Sequence, residues 1–193
     1  AKADAPFNNL DELCDWIKTQ DNVTVCFAGY VNLVNMMKVF EIAGVDTSKI
    51  TFVPTNSKEV ATSVASGICQ FTCHAKSTAK PMVLSGDLKL IAPLGDQRYE
   101  DVDPDCPSAV EQGYDVYSYG GLGFSAPKGT PQEYIDILDQ ALQEVVLDQR
   151  YIDHVESIGY QHYTYNAAEY TEQLKNDAEA SHGYLVELGI IAE

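Results

Sequence analysis

A short apolar run, VTVCFAG (Val23–Gly29), leads directly into a segment with helical patterning, and this junction carries the clearest chemistry in the sequence. A buried strand that ends in glycine and enters a helix leaves free backbone N–H groups at the positive end of that helix. Such a turn suits an anion, and in particular a carboxylate. The junction therefore predicts ligand contacts from Gly29, Tyr30, Val31, Asn32 and, one turn further on, Asn35.

Two later loops are expected to reach the same place. The runs KITFVP (Lys49–Pro54) and CQFTCHA (Cys69–Ala75) predict strands, and the carboxyl ends of parallel strands are where open sheets bind ligands. The contacts predicted from these loops are Thr55, Asn56, Ser57 and His74. An alternative stays open for each loop. The first three residues could cap the next helix, and His74 could bond only to backbone.

The elements that must position these loops alternate between helix and strand. Asn9 predicts a cap for a helix over LDELCDWIKTQ, whose buried face is Leu10, Leu13, Cys14 and Ile17. Further helices are predicted over about Val31–Ala43 (with Val34, Met37, Phe40 and Met36 inward and Gly44 as the stop), Ser57–Ser66 and Ser77–Ser85, and a fourth strand over Leu88–Gly95.

Strand–helix–strand repetition predicts right-handed crossovers and a parallel sheet covered on both faces. We expect the strand from Val23 at the centre, with the strands from Lys49 and Cys69 on either side. The strand from Leu88 is expected to lie beyond the strand from Cys69.

The remainder of the chain changes character. Residues 96–116 indicate a long surface connection with a short helix near Ser108–Gln112, and Tyr117–Pro127 predicts a strand. Capping signals at Thr130 and Asn166 and a restart at Asp148 predict three helices. Their apolar residues predict a buried stripe that is covered either by residues 1–116 or by a second copy of the chain: Ile135, Leu138, Ala141, Leu142, Val145, Leu174, Leu185 and Leu188.

Composition and charge exclude several functions. Twelve basic against 29 acidic residues give a net charge of −17, which disfavours nucleic acid and anionic membrane surfaces. The sequence has no nucleophile-elbow or phosphate-loop motif, so we expect no enzyme. No cofactor or metal is expected either, because the five cysteines have no zinc-site spacing and are better explained as buried core residues.

Several segments, in this order, resemble the substrate-binding receptors of tripartite tricarboxylate transporters, also called Bug receptors. The resemblance covers essentially the whole chain, and its most specific segment is GLGFSAPKGTPQEYIDIL (Gly121–Leu138). The other matching segments are DAPFNNLDEL, AGVD followed by ITFVP, SGDLKLIAP, DVDPDCPSAVEQGYDV and IGYQHYTYNAAEYTEQL.

The resemblance implies an α/β, periplasmic-binding-protein-like domain with a parallel sheet and flanking helices. Residues 5–116 would form the second receptor domain, which supplies half of the ligand cleft, and residues 117–193 would form the C-terminal strand and helices of an incomplete first domain. The chain corresponds only to the C-terminal two-thirds of family members. Since it opens AKADAPF without an initiator methionine, we expect that a preceding segment has been removed.

The implied function is an extracytoplasmic, periplasmic solute-binding receptor that delivers small carboxylates to a membrane permease. The resemblance also implies a possible lipid anchor before processing. A homodimer that packs through the C-terminal helices is one of the expected arrangements. The loop after Gly29 departs from the family, because it is shorter and has no Ser or His, and only Lys58 and Lys76 supply positive charge nearby. The alternative is therefore a shortened interaction module that has lost its ligand site.

Overall fold

Two parallel strands, β1 (Val23–Phe27) and β2 (Ile50–Pro54), form the sheet. They pair in register, with Val23 opposite Ile50 and Phe27 opposite Pro54. β1 is apolar on both faces and almost wholly buried, as expected for a central parallel strand. In this computed structural model, which describes residues 1–118, 122–157 and 162–192, the sheet lies in the first of two units, Ala1–Ser118 and Tyr119–Glu193.

The predicted third strand is reduced to a single bridge on the other side of β1. Phe71 pairs in parallel with Val25, and the Gln70 N–H donates to the carbonyl of Thr24 at 2.9 Å. The predicted order, with the Val23 strand between the other two, is therefore confirmed. The strand is short because Thr72 uses its hydroxyl, at 2.7 Å, to reach the carbonyl of Cys26.

The predicted fourth strand, Leu88–Gly95, is wrong, as is its place beyond the third. Leu88 forms only an antiparallel bridge to Lys2. Pro93 interrupts any strand pairing here, because it has no N–H. Its carbonyl accepts from the Ala109 N–H at 2.7 Å, so it bonds outside the sheet. Several backbone groups of this segment thus bond to separate parts of the chain, and no continuous ladder forms.

The helices of the first unit fall close to the predicted places. Asn9 caps α1 by accepting from the Glu12 N–H at 2.8 Å, and all four predicted inward residues of this helix are buried. Gly44 ends α2 in the left-handed conformation at φ 64°. The bounds are α1 Leu10–Thr19, α2 Tyr30–Ala43, a 3₁₀ turn Thr47–Lys49, α3 Val60–Ala65 and α4 Lys76–Leu84.

An aromatic cluster joins these helices to the sheet. The Phe71 ring packs edge-on against Phe40 and Phe7, with ring centroids 6.1 and 6.4 Å apart. The ring of Trp16 in α1 lies 5.2 Å from Phe7. Burial of Phe7, Phe40 and Phe71 therefore connects α1, α2 and the bridge residue in one core.

The second unit contains the three predicted helices, α5 (Gln132–Val146), α6 (Gln149–Ser157) and α7 (Ala167–Glu187). The capping box of α7 is confirmed, since Asn166 accepts from the Glu169 N–H and the Glu169 side chain accepts from the Asn166 N–H. The cap at Thr130 is wrong. Its hydroxyl donates to the carbonyl of Pro127 at 2.8 Å, and Pro131 takes the cap position.

Two further expectations fail in the described residues, and a third stays untested. Residues 109–113 form turns, not a helix, and residues 117–118 and 122–127 form no strand, while 119–121 lie outside the described residues. The apolar stripe is left partly exposed within the single chain, where Leu138 is 56% exposed and Leu174 is 47% exposed, so its cover by a second copy stays a prediction. The apolar spacing on α5 and α7 therefore predicts the helices correctly but not what covers them.

Candidate anion-binding site

Three loops leave the sheet at the carboxyl ends of its strands, because β1, β2 and the Phe71 bridge all run parallel. We call this end of the sheet its carboxyl edge. The Thr55 N–H donates to the Phe27 carbonyl at 2.9 Å, which ties the loop after β2 to the end of β1. On the other side, the bond from Thr72 to Cys26 ties in the third loop. The structure thus brings the loops at Gly29, Thr55 and His74 to a common edge.

The N-terminus of α2 is open. Gly29 holds the cap position at φ 85° and ψ 139°, where glycine is strongly favoured, and within the described residues no side-chain hydrogen bond caps the helix. The first-turn N–H groups have no partner within a helix. Tyr30 and Val31 are 53% and 55% exposed, and the Asn32 amide braces the turn by donating to the Ala28 carbonyl at 2.6 Å.

The loop after β2 behaves partly as the capping alternative predicts. The side-chain oxygen of Asn56 accepts from the N–H groups of Lys58 and Glu59, both at 3.0 Å. Asn56 and Ser57 are exposed and Thr55 is half-buried. The loop therefore offers two hydroxyl groups next to the end of β1, while the Asn56 oxygen is used locally.

His74 is half-buried and lies just before α4. Its Nδ1 accepts from the Ala75 N–H at 2.8 Å, so the backbone-bonding alternative describes one of its two nitrogens. The other nitrogen, Nε2, is buried and has no hydrogen-bond partner among the described residues. Burial lowers the pKa of His74 below its usual value, which favours the neutral ring.

Asn35 differs from the other predicted contacts. It is 3% exposed, and its amide donates to the hydroxyl of Ser118 at 3.0 Å. This bond ties α2 to the end of the first unit. A ligand contact from Asn35 stays a prediction, but the structure already gives the side chain a partner.

The positive charge of Lys76 is neutralised by Asp101, which sequence reasoning missed. The ammonium groups of Lys76 and Lys80 each lie 2.5 Å from one oxygen of Asp101. Hydrogen bonds from the two lysines lower the pKa of Asp101 to about 2. The ring of Tyr99 lies 4.9 Å from the Lys76 ammonium. No spacing links Asp101 to a helix 21 residues earlier, so only the fold reveals the pair.

Another concave region lies at the opposite end of α2. This shallow groove of about 370 Å³ is lined by residues including Asp11, Asp15, Ile42 and Tyr114. Two carboxylates on its wall make it unsuited to an anion. In the described part of the chain no group of three or more His, Cys, Asp or Glu side chains is arranged to hold a metal ion.

Four of the five cysteines have thiols whose pKa is raised by burial. Burial raises the pKa of Cys26 and of Cys73 to about 12, and that of Cys14 and of Cys106 to about 11. A thiol with such a pKa carries almost no thiolate at neutral pH. The core interpretation made from the sequence is confirmed for Cys14, Cys26, Cys69 and Cys106, which are buried.

A parallel α/β unit with polar loops at the carboxyl ends of its strands is the kind of fold that binds ligands at those ends. The sequence matches the family described as "Tripartite tricarboxylate transporter family receptor" (TctC) over residues 1–189. The chain therefore belongs to the TctC family, as the sequence segments indicate.

Two solved structures show the same fold. A TctC solute-binding protein from Polaromonas, solved without ligand, is 21% identical to this chain and has a TM-score of 0.74. The match covers 97% of this chain and 64% of the Polaromonas chain. A structure described as a periplasmic transporter is 17% identical to this chain and has a TM-score of 0.72. The match covers 100% of this chain and 64% of the transporter chain. The chain thus spans 64% of the length of these relatives. A comparison with curated proteins gives no match.

A helix that crosses a bilayer needs about 20 mostly apolar residues. None of the helices in the described ranges is both long enough and apolar enough to do so.

Proposed function

We propose that this chain binds a small carboxylate at the carboxyl edge of its sheet. The observation that carries the proposal is the uncapped N-terminus of α2, exposed at Tyr30 and Val31 and flanked by two polar loops. Backbone N–H groups at Gly29, Tyr30, Val31 and Asn32 supply the donors, and Thr55, Ser57 and His74 supply side-chain contacts. Asn35 and Asn56 contribute by holding this arrangement in place.

The charge distribution fits a site built from dipoles more than one built from cations. Lys76 is paired with Asp101, and the whole chain carries a charge of −17. Oriented N–H groups at a helix terminus bind an anion without a basic side chain. The net charge repels an approaching anion, so it slows the encounter without removing the bound-state hydrogen bonds.

For the whole receptor, we propose a periplasmic solute-binding protein that delivers its ligand to a membrane permease of the tripartite type, with lipid anchoring before processing as a further prediction. Membership of the TctC family supports this assignment. The second solved relative, a periplasmic transporter, supports the same assignment. The division into a cleft-forming second receptor domain at 5–116 and a portion of the first domain at 117–193 belongs to the same proposal.

One substitution tests the helix terminus directly. Tyr30→Pro removes the first N–H of α2, and proline is tolerated at this position because its φ suits the first helical turn. Tyr30→Ala is the matched control, since it removes the same ring and keeps the N–H. With succinate, malate and citrate as probes in calorimetry, we expect Tyr30→Pro to weaken binding by about 1.5–3 kcal/mol relative to Tyr30→Ala.

The outcomes separate clearly. Equal dissociation constants for the two Tyr30 variants would remove the helix terminus from the site. A wild-type chain that binds none of the three carboxylates would overturn the proposed function. Asn32→Ala combined with Ser57→Ala tests the side chains, and an unchanged dissociation constant in this double variant would show that they make no contact.

Association of two copies through the C-terminal helices is part of the proposal. Ile137 and Leu138 on α5 are 65% and 56% exposed, and burying them would be favourable. Light scattering should then give twice the 21.2 kDa mass of one chain, and Leu138→Lys should return it to a single mass. A single-chain mass at all concentrations would contradict the dimer.

A further inference from the structure

The two nitrogens of His74 are in different situations. Nδ1 accepts a hydrogen bond from the Ala75 N–H at 2.8 Å and must therefore keep its lone pair. The hydrogen bond made by one imidazole nitrogen decides where the ring proton sits. In the neutral ring the proton is then on Nε2, which makes Nε2 a donor.

The Nε2 donor is unusual because it is buried without an acceptor. No hydrogen-bond partner lies within reach among the described residues, and an unpaired buried donor costs about 1–3 kcal/mol. Buried polar groups in proteins are otherwise nearly always paired. An unpaired donor at a candidate binding edge is therefore a position where an acceptor from outside the chain would be favourable.

The surroundings keep the ring neutral. Burial is the main influence on its pKa and lowers it, and no carboxylate is hydrogen-bonded to either nitrogen in the described residues. The titratable residues nearest to His74 in sequence are Cys73 and Lys76. The Cys73 thiol is protonated because burial raises its pKa to about 12, and Lys76 is paired with Asp101.

We infer that His74 is a specificity-determining residue that donates its Nε2–H, from a neutral ring, to an acceptor atom of the bound ligand. The inference rests on the proposed carboxylate site and names the chemistry of one contact within it. The acceptor is a carboxylate oxygen, and an ammonium group at the same point is rejected because two donors would face each other. Together with the N–H groups of α2, His74 makes the site selective for acceptors.

Two variants separate the two nitrogens of the ring. In His74→Asn the side-chain oxygen can replace Nδ1 as acceptor for the Ala75 N–H, but the Nε2 donor is lost. In His74→Gln the side-chain amide restores a donor near the position of Nε2. We expect His74→Asn to weaken succinate, malate or citrate binding about 10- to 100-fold, and His74→Gln to stay within about 5-fold of wild type.

Nuclear magnetic resonance supplies a readout that does not depend on affinity. The 193-residue chain has four histidines, so ¹⁵N-histidine labelling gives few signals, and the signals lost in His74→Asn are those of His74. At pH 7 we expect the neutral Nε2–H tautomer in the free protein. Adding the best-binding of the three carboxylates should shift the Nε2 resonance and its proton.

Each result supports or overturns the inference. An Nδ1–H tautomer or an imidazolium at pH 7 overturns it, as does an Nε2 signal that does not respond to a bound carboxylate, which would indicate a buried water only. If Tyr30→Pro weakens binding but His74→Asn does not, the inference fails and the proposed function stands. If the wild-type chain binds none of the probes, both fail.

Discussion

Phe71 connects the core to the candidate site, and removing its ring should have a large effect on the first unit. The side chain is 4% exposed and makes edge-on contacts with Phe7 and Phe40. Replacing a buried Phe by Ala costs about 3–5 kcal/mol, because both burial and packing are lost. Two aromatic pairs are broken as well, so we expect the upper part of this range. That is a large share of the roughly 5–15 kcal/mol that stabilises a domain.

The assay uses the one tryptophan of the chain. Trp16 lies 5.2 Å from Phe7 in the same cluster, so its fluorescence during urea unfolding reports on the first unit. Phe71→Leu should lose only about 1–2 kcal/mol because most of the apolar volume is kept. Ile68→Ala is the control for an exposed position, since Ile68 is 67% exposed, and should lose less than about 0.5 kcal/mol.

A loss below about 1.5 kcal/mol in Phe71→Ala would refute the reasoning. It would mean that the single bridge to Val25 is not part of the cooperative core. The placement of His74, three residues further on, would then lose its structural support.

Three other outcomes are expected. Gly29→Ala and Gly44→Ala both place a side chain at positive φ, and each should destabilise the chain by about 1 kcal/mol in urea unfolding. Only Gly29→Ala should also weaken carboxylate binding, and equal dissociation constants for the two variants would contradict the assigned edge. Asp101→Asn frees two lysines and should strengthen carboxylate binding in low salt at pH 7 while costing less than about 1 kcal/mol, because the carboxylate is half exposed. Since the pKa of Asp101 is lowered to about 2, its stabilising contribution is present above about pH 4 and disappears as the pH falls through about 2, so the difference between variant and wild type should vanish there. An aromatic disulfide reagent should label the native chain slowly at pH 8 and the urea-unfolded chain rapidly; fast labelling of native protein would contradict the raised thiol pKa values.

Local signals predicted several helix ends of this chain correctly. The Asn9 cap, the Gly44 stop and the Asn166 capping box each depend on residues within one helical turn, and all three are present. The order of the first two strands and the Phe71 bridge follows from the handedness of the crossovers. These features are determined by neighbouring residues and by a general topological rule.

Long-range satisfaction of polar groups was not predictable in the same way. Leu88–Gly95 has the composition of a strand, yet its carbonyl groups are taken by Ala109 and by the Gln112 side chain, which donates to the Ile91 carbonyl at 3.0 Å. At the site, the apolar spacing placed the three loops at one edge. It could not reveal that Asn35 is bonded to Ser118 or that Lys76 is neutralised by Asp101.

The unequal attachment of the two outer loops has a consequence for local opening. The loop at Thr55 continues from five paired residues of β2, whereas the loop at His74 follows one bridge and two neighbouring hydrogen bonds. Segments with few backbone bonds open at lower free energy than the sheet they adjoin. Amide hydrogens of residues 72–75 should therefore exchange faster than those of residues 50–53. A ligand that bonds to His74 would slow that exchange, because it would raise the free energy of opening of residues 72–75 toward that of the paired strands.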